Sequence, residues 1–505
     1  MDRREFIKIL LGGGAGLIFD RTYARPLRLL HQRSRYLPPP QVNTFSSEII
    51  MNSRRSYHGG YNGALSDQIL ANALWAASRA PVIGTDRTIY AALPDNVYEY
   101  DPLTHDIILH LAGNHLSESN LAFEIGVASD LAEDAGASLH YAHLASTSFW
   151  TATSSQPSCC PKESARNNAN NTWNPSGSIQ IANCYGLMAT VSGVTSQIVA
   201  ISSNASLPDP TTDGTTLLEY ALTNIHTGSQ FLDTELTLEQ LSQIAWSSYG
   251  NTPHITSNNR AGLTAASAVA NYYLTGRIYM VRSVGVERYH VRLPSGQPST
   301  RDHRIERVTN GDRRAQLRSA VPRIPQTAPN YFVFCAATAD RWQLIEAGYC
   351  AAGALLQSSS IDLQGHFTSG FSSVERTALI NALGIPSADL PLLVFSVGQE
   401  YVGVGESSTN TVGSLKVSPN PFKDKTEIRW HAVNISPTAV VSVSIYDAAG
   451  RFVKSLYHGS GIMDHRSVLS WDGTDQRGRR APRGNYYVAA MIGSREVRQK
   501  ITKIR

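Results

Sequence analysis

The sequence is poor in the features that mark several common protein classes. It holds five cysteines in 505 residues, with Cys159 and Cys160 adjacent and no Cys-x-x-Cys pair. A complete disulfide framework and a cysteine-built metal site are therefore not expected. His105, His110, His115, His140 and His143 scatter without i, i+4 pairing to a carboxylate or cysteine, which argues against zinc. There is no Gly-x-Ser-x-Gly elbow and no phosphate-cradling P-loop. Past the N-terminus no apolar run reaches the ~18–20 residues of a membrane span, so no integral membrane body is expected. Charged residues make up only 17%, and a formal net charge of +4 is too small to imply a nucleic-acid partner.

What remains is an ordinary globular composition, 42% hydrophobic, with room for roughly two to four domains. The charge is unevenly spread. Residues 415–505 carry 16 Lys/Arg against 7 Asp/Glu, while the rest is slightly acidic.

Residues 1–24 read as an export signal. Arg3-Arg4-Glu5-Phe6-Ile7-Lys8 precedes a glycine-rich apolar run from Ile9 to Phe19, and small residues follow near Thr22 to Ala24. The Arg-Arg-x-Phe-Ile-Lys string looks like a twin-arginine signal, a route used by folded and often cofactor-loaded proteins. The expected location is the periplasm, cell surface or exterior. A stiff linker follows over 25–45, containing Pro38-Pro39-Pro40.

The middle of the chain contains an internal repeat. Leu65–Ala77 and Leu236–Trp246 share helical spacing, with Leu70 matching Leu241 and Trp75 matching Trp246. Ile89-Tyr90 followed by Val97 and Tyr100 matches Ile278-Tyr279 followed by Val286 and Tyr289 at identical spacing. A second helix is expected in both copies, with Phe123–Ala128 set against Ile345–Cys350. The pattern predicts two α+β units, over 46–212 and 213–405. The arginine-rich stretch Arg288–Arg323 reads as an exposed loop insertion, and 158–178 as an exposed loop.

The second copy resembles the nitroreductase-like flavin enzymes, especially the azoline-dehydrogenase branch. The resemblance rests on Leu236–Gln243, Glu346–Ala352, Leu355-Leu356-Gln357 and the close Leu383-Gly384-Ile385 with Pro391–Gly398. In the first copy, Arg54-Arg55-Ser56-Tyr57-His58 resembles the family's opening signature, which holds the FMN phosphate. The resemblance implies two tandem nitroreductase-like units forming an intrachain pseudo-dimer, with FMN at their interface and at most one intact site. It implies a flavin oxidoreductase acting on a small molecule or peptide. Such enzymes need few catalytic side chains, because the flavin itself carries the hydride.

By that resemblance Arg54, Arg55 and Ser56 would contact phosphate, since a guanidinium fork grips a phosphate dianion through paired charge-assisted bonds. His58 stands where the family prefers a permanent cation, giving a weaker, pH-dependent grip. Arg260 stands where an arginine precedes a lost motif, about four residues too far from Ile278. Gly365 sits where the family's strand passes close to the flavin. The matching positions of the second copy are Ile225, Thr227 and Ser229, with no cation among them. That loss motivates a second expectation, an inactive binding scaffold.

After a linker over 406–414, residues 415–505 alternate as short strands. Ser418-Pro419-Asn420-Pro421-Phe422, Ile445-Tyr446-Asp447, Gly450-Arg451 and Trp471-Asp472-Gly473 resemble the Ig-like domain of flagellar hook-capping proteins and type IX sorting domains. The resemblance implies a β-sandwich of about seven strands, displayed through export or surface-attachment machinery. Asp472 and Asp475 read as turn caps in preference to calcium ligands.

Overall fold

The computed structural model describes residues 34–56, 67–118, 121–149, 157–160, 163–173, 179–187, 207–256, 259–267, 271–293, 299–401, 414–431, 440–447, 451–460, 468–476, 478–492 and 495–504. The export signal, His58 and all of the 406–414 linker except Ser414 lie outside the described residues.

The first α+β unit runs β1 (Ser34–Tyr36), α1 (Ser47–Ser53), α2 (Asp67–Arg79), β2 (Arg87–Ala92), β3 (Asn96–Asp101), β4 (Asp106–Ala112), β5 (Glu124–Ser129), α3 (Ala132–Thr147), β6 (Pro157–Cys160), α4 (Glu163–Thr172) and β7 (Ile179–Leu187). The second begins with α5 (Leu218–Thr223), α6 (Leu238–Tyr249), β8 (Asn251–Ile255) and β9 (Ala261–Leu263). It continues with β10 (Ile278–Arg282), β11 (Gly285–His290), β12 (Arg304–Asn310), α7 (Arg314–Ala320) and β13 (Asn330–Ala336). It ends with α8 (Arg341–Ser360), β14 (Gln364–Thr368), α9 (Ser373–Leu383) and β15 (Leu390–Gly398).

The two sheets repeat one topology. Their orders are β1-β4-β3-β2-β5-β7-β6 and β12-β11-β10-β13-β15-β14, so each strand after β1 has a counterpart at the same place. Even the hairpin register agrees. Tyr90↔Glu99, Ala91↔Tyr98 and Ala92↔Val97 in the first unit correspond to Tyr279↔Arg288, Met280↔Glu287 and Val281↔Val286 in the second.

Helix boundaries follow local chemistry. Thr237 and Gln240 close a capping box on α6, and Ser372 with Glu375 closes another on α9. Gly384, at φ 64°, ends α9 in the left-handed conformation that glycine adopts without penalty.

Two sequence expectations are corrected. Phe123–Ala128 is not a helix: Glu124–Ser129 is the central strand β5, and the counterpart of α8 is α3. A short buried run such as Glu-Ile-Gly-Val-Ala carries no periodicity to tell strand from helix. Nor is Arg288–Arg323 a loop, because it supplies the end of β11, the edge strand β12 and helix α7. Its arginines are tied down as well, Arg307 to Glu287, Arg304 to Asp302 and Arg314 to Asp312, each at 2.7 Å. Part of 158–178 is likewise structured, as β6 and α4.

The units meet along α3 and α8. A Cβ added to Gly136 would lie 2.3 Å from the Ile345 carbonyl, and one added to Gly348 would lie 2.1 Å from the Glu133 carbonyl. Each glycine thus faces the carbonyl three residues before its counterpart. The strands leading into α1 and α5 also exchange bonds: Ser47 N–H donates to Thr216 O at 3.0 Å and Leu218 N–H to Phe45 O at 3.1 Å. Glu219 accepts from the Asn43 backbone and from Ser148, while Gln357 donates to Glu48 at 2.8 Å. A single buried core runs through both units, from Leu70, Ile89 and Ile125 to Ile345, Leu355 and Phe395. The two units therefore pack as an intrachain pseudo-dimer.

Among the described residues the C-terminal unit has seven strands in two sheets. β16 (Ser414–Ser418), β17 (Thr426–His431) and β20 (Val468–Trp471) form one. β19 (Phe452–Ser460), β18 (Val440–Asp447), β21 (Gly484–Ile492) and β22 (Arg495–Lys503) form the other. Trp471 centres its core, 5.2 Å from the Phe422 ring and 4.9 Å from the Tyr486 ring between centroids. Asp472 caps its turn by accepting from the Thr474 N–H and hydroxyl, and Lys454 also binds it. Those bonds hold its carboxyl down at about 2.

Because helix backbone cannot yield at the α3–α8 crossing, Gly348→Ala is expected to cost about 1–3 kcal/mol despite alanine's better helix propensity. Chemical denaturation of the full chain would measure it, and an unchanged midpoint would refute the close crossing.

Candidate functional site

Helix α1 ends where Arg54 leaves helical backbone, at φ −57° and ψ 133°. That turn sends the Arg54 side chain across to the second unit. Its Nε and Nη2 donate to the Leu263 carbonyl at 3.1 and 2.8 Å, and its Nη1 donates to Ser56 Oγ at 3.2 Å. Leu263 ends β9, so one buried guanidinium bolts the start of the first unit to a hairpin of the second. Ser56 accepts from Arg54 and keeps its own hydroxyl hydrogen to donate outward.

Three histidines surround this bolt. His140 and His143 lie one turn apart on α3, both buried. Burial, then the Arg54 charge, holds His140 down to about 3. His143 is held well below its ordinary value by burial, Arg54 and His140, and its Nε2–H donates to the Arg55 carbonyl at 3.0 Å. His254, on β8, is held down to about 4 by burial and then by Arg55, Arg54 and Arg301. Arg301 is anchored to the same hairpin, its Nε donating to Thr252 O at 3.1 Å and its Nη2 to Pro253 O at 2.8 Å.

The structure therefore brings Arg54, Arg55 and Ser56 of the first unit together with His254 and Arg301 of the second. Arg54 and Arg301, from opposite units, are both anchored to the β8–β9 hairpin, which gives the junction a positive field. Sequence reading singled out the first three. His254 carried no local signal, and Arg301 was hidden in a stretch read as a solvated loop.

The other expected residues lie elsewhere. Arg260 stacks on the Tyr272 ring, 5.3 Å from its centroid, and is not among the charges acting on His254. Gly365 pairs with the strand around Thr227, its N–H donating to His226 O at 3.0 Å and its carbonyl accepting from Gly228 at 3.2 Å. A Cβ there would lie 2.2 Å from the Phe395 ring, so internal packing already requires this glycine. In the second unit Thr227 makes an isolated bridge to Gly365, and neither Ile225, Thr227 nor Ser229 is a cation. Among the described residues no cluster of His, Cys, Asp and Glu could hold a metal ion. The thiols of Cys335 and Cys350 are buried, and burial pushes both well up.

The buried histidines make stability pH-dependent. His140 and His303 titrate near 3 and 4 in the fold, below the ordinary 6.5, so the unfolded chain takes up protons first. Stability is full above about pH 6.5 and falls as pH drops toward 4, at up to ~1.4 kcal/mol per unit for each such histidine. Urea titrations across that window should show the decline, with a shallower slope in His140→Phe. A flat profile from pH 7 to 4 would contradict neutral buried imidazoles.

Comparison with known proteins separates the two parts of the chain. Residues 417–494 match the FlgD Ig-like domain family. No curated protein matches the chain. Among solved structures, a candidate nitroreductase from Anabaena variabilis is 11% identical, with 69% of this chain and 94% of that one covered at a TM-score of 0.47. A candidate nitroreductase from Ralstonia eutropha is 21% identical over 42% of this chain and 98% of that one, TM-score 0.31. The Escherichia coli microcin synthetase McbBCD complex, with truncated pro-MccB17 bound, is 18% identical over 41% and 76%, TM-score 0.28. The C-terminal unit is thus a FlgD Ig-like domain, and the solved structures to which the chain is similar are of the nitroreductase kind.

Proposed function

We propose that the α+β pair binds FMN at the junction of its units and works as a flavin oxidoreductase. The observation carrying this reading is that Arg54 and Arg301 are anchored to the same β8–β9 hairpin, Arg54 at Leu263 and Arg301 at Thr252 and Pro253, with Ser56 bonded to Arg54. That donor set suits a phosphate dianion. Arg55, Ser56 and the Arg301 Nη1 would hold the phosphate, while Arg54, already bonded to Leu263, positions Ser56. When bound, FMN supplies hydride and electron transfer. The residues named here bind and orient it, and the neutral histidines of α3 keep the floor of the site dry and uncharged.

A second reading is a binding scaffold without catalysis. It is favoured by the engagement of Arg54 with a backbone carbonyl and by the absence of a cation at Ile225 and Thr227. In either case the twin-arginine string and the C-terminal domain support export and display at the cell surface. No helix among the described residues is long and apolar enough to cross a membrane.

Purified full-length protein should be yellow, absorbing near ~450 nm, or should take up added FMN. Arg55→Ala and Ser56→Ala should each weaken FMN binding about tenfold or more while leaving the melting temperature nearly unchanged. A colourless protein that refuses FMN would sink the flavin reading and leave the scaffold. Export is tested separately: Arg3→Lys with Arg4→Lys should retain the protein inside the cell, and undiminished secretion would refute the twin-arginine route.

A further inference from the structure

A second pair of cations lies at the far end of the β8–β9 hairpin. Arg260, on the β8–β9 turn, and Arg292, just past β11, both stack on Tyr272, at 5.3 and 5.4 Å from its ring centroid. Neither guanidinium has a hydrogen bond or an ion pair with any described residue, and Arg292 Nε and Nη2 are buried without a partner. Two like charges at one ring, one of them partly desolvated, repel and cost free energy unless something neutralises them.

The platform beneath them is rigid. Tyr272 takes a left-handed backbone, φ 55°, which is rare for a bulky residue and marks a conformation held in place by its surroundings. Its N–H donates to Ser267 Oγ, and the Ser267 hydroxyl donates to Glu346 Oε2 at 2.8 Å. Glu346 is fully buried on α8, and its Oε1 accepts from the Tyr249 hydroxyl at 2.6 Å and the Leu274 N–H at 3.2 Å. A buried carboxylate therefore fixes the aromatic ring on which the two arginines rest, and its oxygens are already spent.

We propose that Arg260, Tyr272 and Arg292 form a binding site for an oxyanion group, the carboxylate or phosphate of a ligand. Each guanidinium rests on the Tyr272 ring and keeps unspent donors for such a group, the Arg292 Nε and Nη2 among them. The site borders the proposed FMN phosphate site, since Arg260 lies on the β8–β9 hairpin that also carries His254 and Leu263, but it uses side chains of its own.

The test uses the full chain, with thermal unfolding and titration calorimetry in inorganic phosphate or succinate against sodium chloride of equal ionic strength. One of the two oxyanions should raise the melting temperature on the order of 3 °C, and which one does so tells a phosphate ligand from a carboxylate ligand. Measured in an Arg55→Ala background, which removes the proposed FMN phosphate site, Arg260→Gln and Arg292→Gln should each weaken that binding at least tenfold. Without anion, Arg292→Gln should melt no lower than the parent, since it removes a repelling charge. The proposal is overturned if neither oxyanion stabilises the protein, if both glutamine variants respond like the parent, or if Arg292→Gln unfolds early in plain buffer.

Discussion

Two glycine-to-carbonyl contacts set the spacing on which the rest of the α+β pair depends. Gly136 and Gly348 let α3 and α8 cross with their backbones nearly touching, and no side chain could occupy either position. At that separation the lead-in strands of α1 and α5 can trade hydrogen bonds, and the two units share one core. Protein interiors are too densely packed for such a crossing to drift, so the hairpin of the second unit is held against the end of α1. The junction site exists because the helices cross there.

The arginines show how a buried charge is accommodated. Arg54 is almost fully buried, and its donors go to the Leu263 carbonyl and to Ser56. Burial, with the Arg54 charge added, holds His140, His143 and His254 down. Other arginines, such as Arg307 with Glu287 and Arg277 with Asp389, are cancelled locally by carboxylates. Positive potential survives only where carbonyls or an aromatic ring replace carboxylates, and both candidate sites lie there.

In the C-terminal domain the same local turn is built twice. Arg451 bonds to Asp447 and Arg479 to Asp475, the aspartate accepting from the arginine N–H and Nε while its own N–H donates to the arginine carbonyl. The repeated Asp-x-x-Gly-Arg spelling is thus turn chemistry, and the excess of positive charge in this domain lies with its other basic residues.

Local pattern was enough for much of this. The capping boxes, the matched hairpin spacings of Ile89–Tyr100 and Ile278–Tyr289, and the seven-stranded sandwich around Trp471 are all legible in the sequence, because each depends on residues near one another. Arg54, Arg55 and Ser56 were legible as a short string. The strand at Glu124–Ser129 was not, since a fully buried run loses the alternation that betrays a strand. Nor could the sequence place Arg301 beside His254, or Arg292 beside Arg260, because those meetings need hairpins folded back over dozens of residues. By itself the sequence determined the matched helices and hairpins, their repetition and the C-terminal domain. Tertiary structure alone decided which cations meet, because that depends on how closely two glycine-bearing helices can approach.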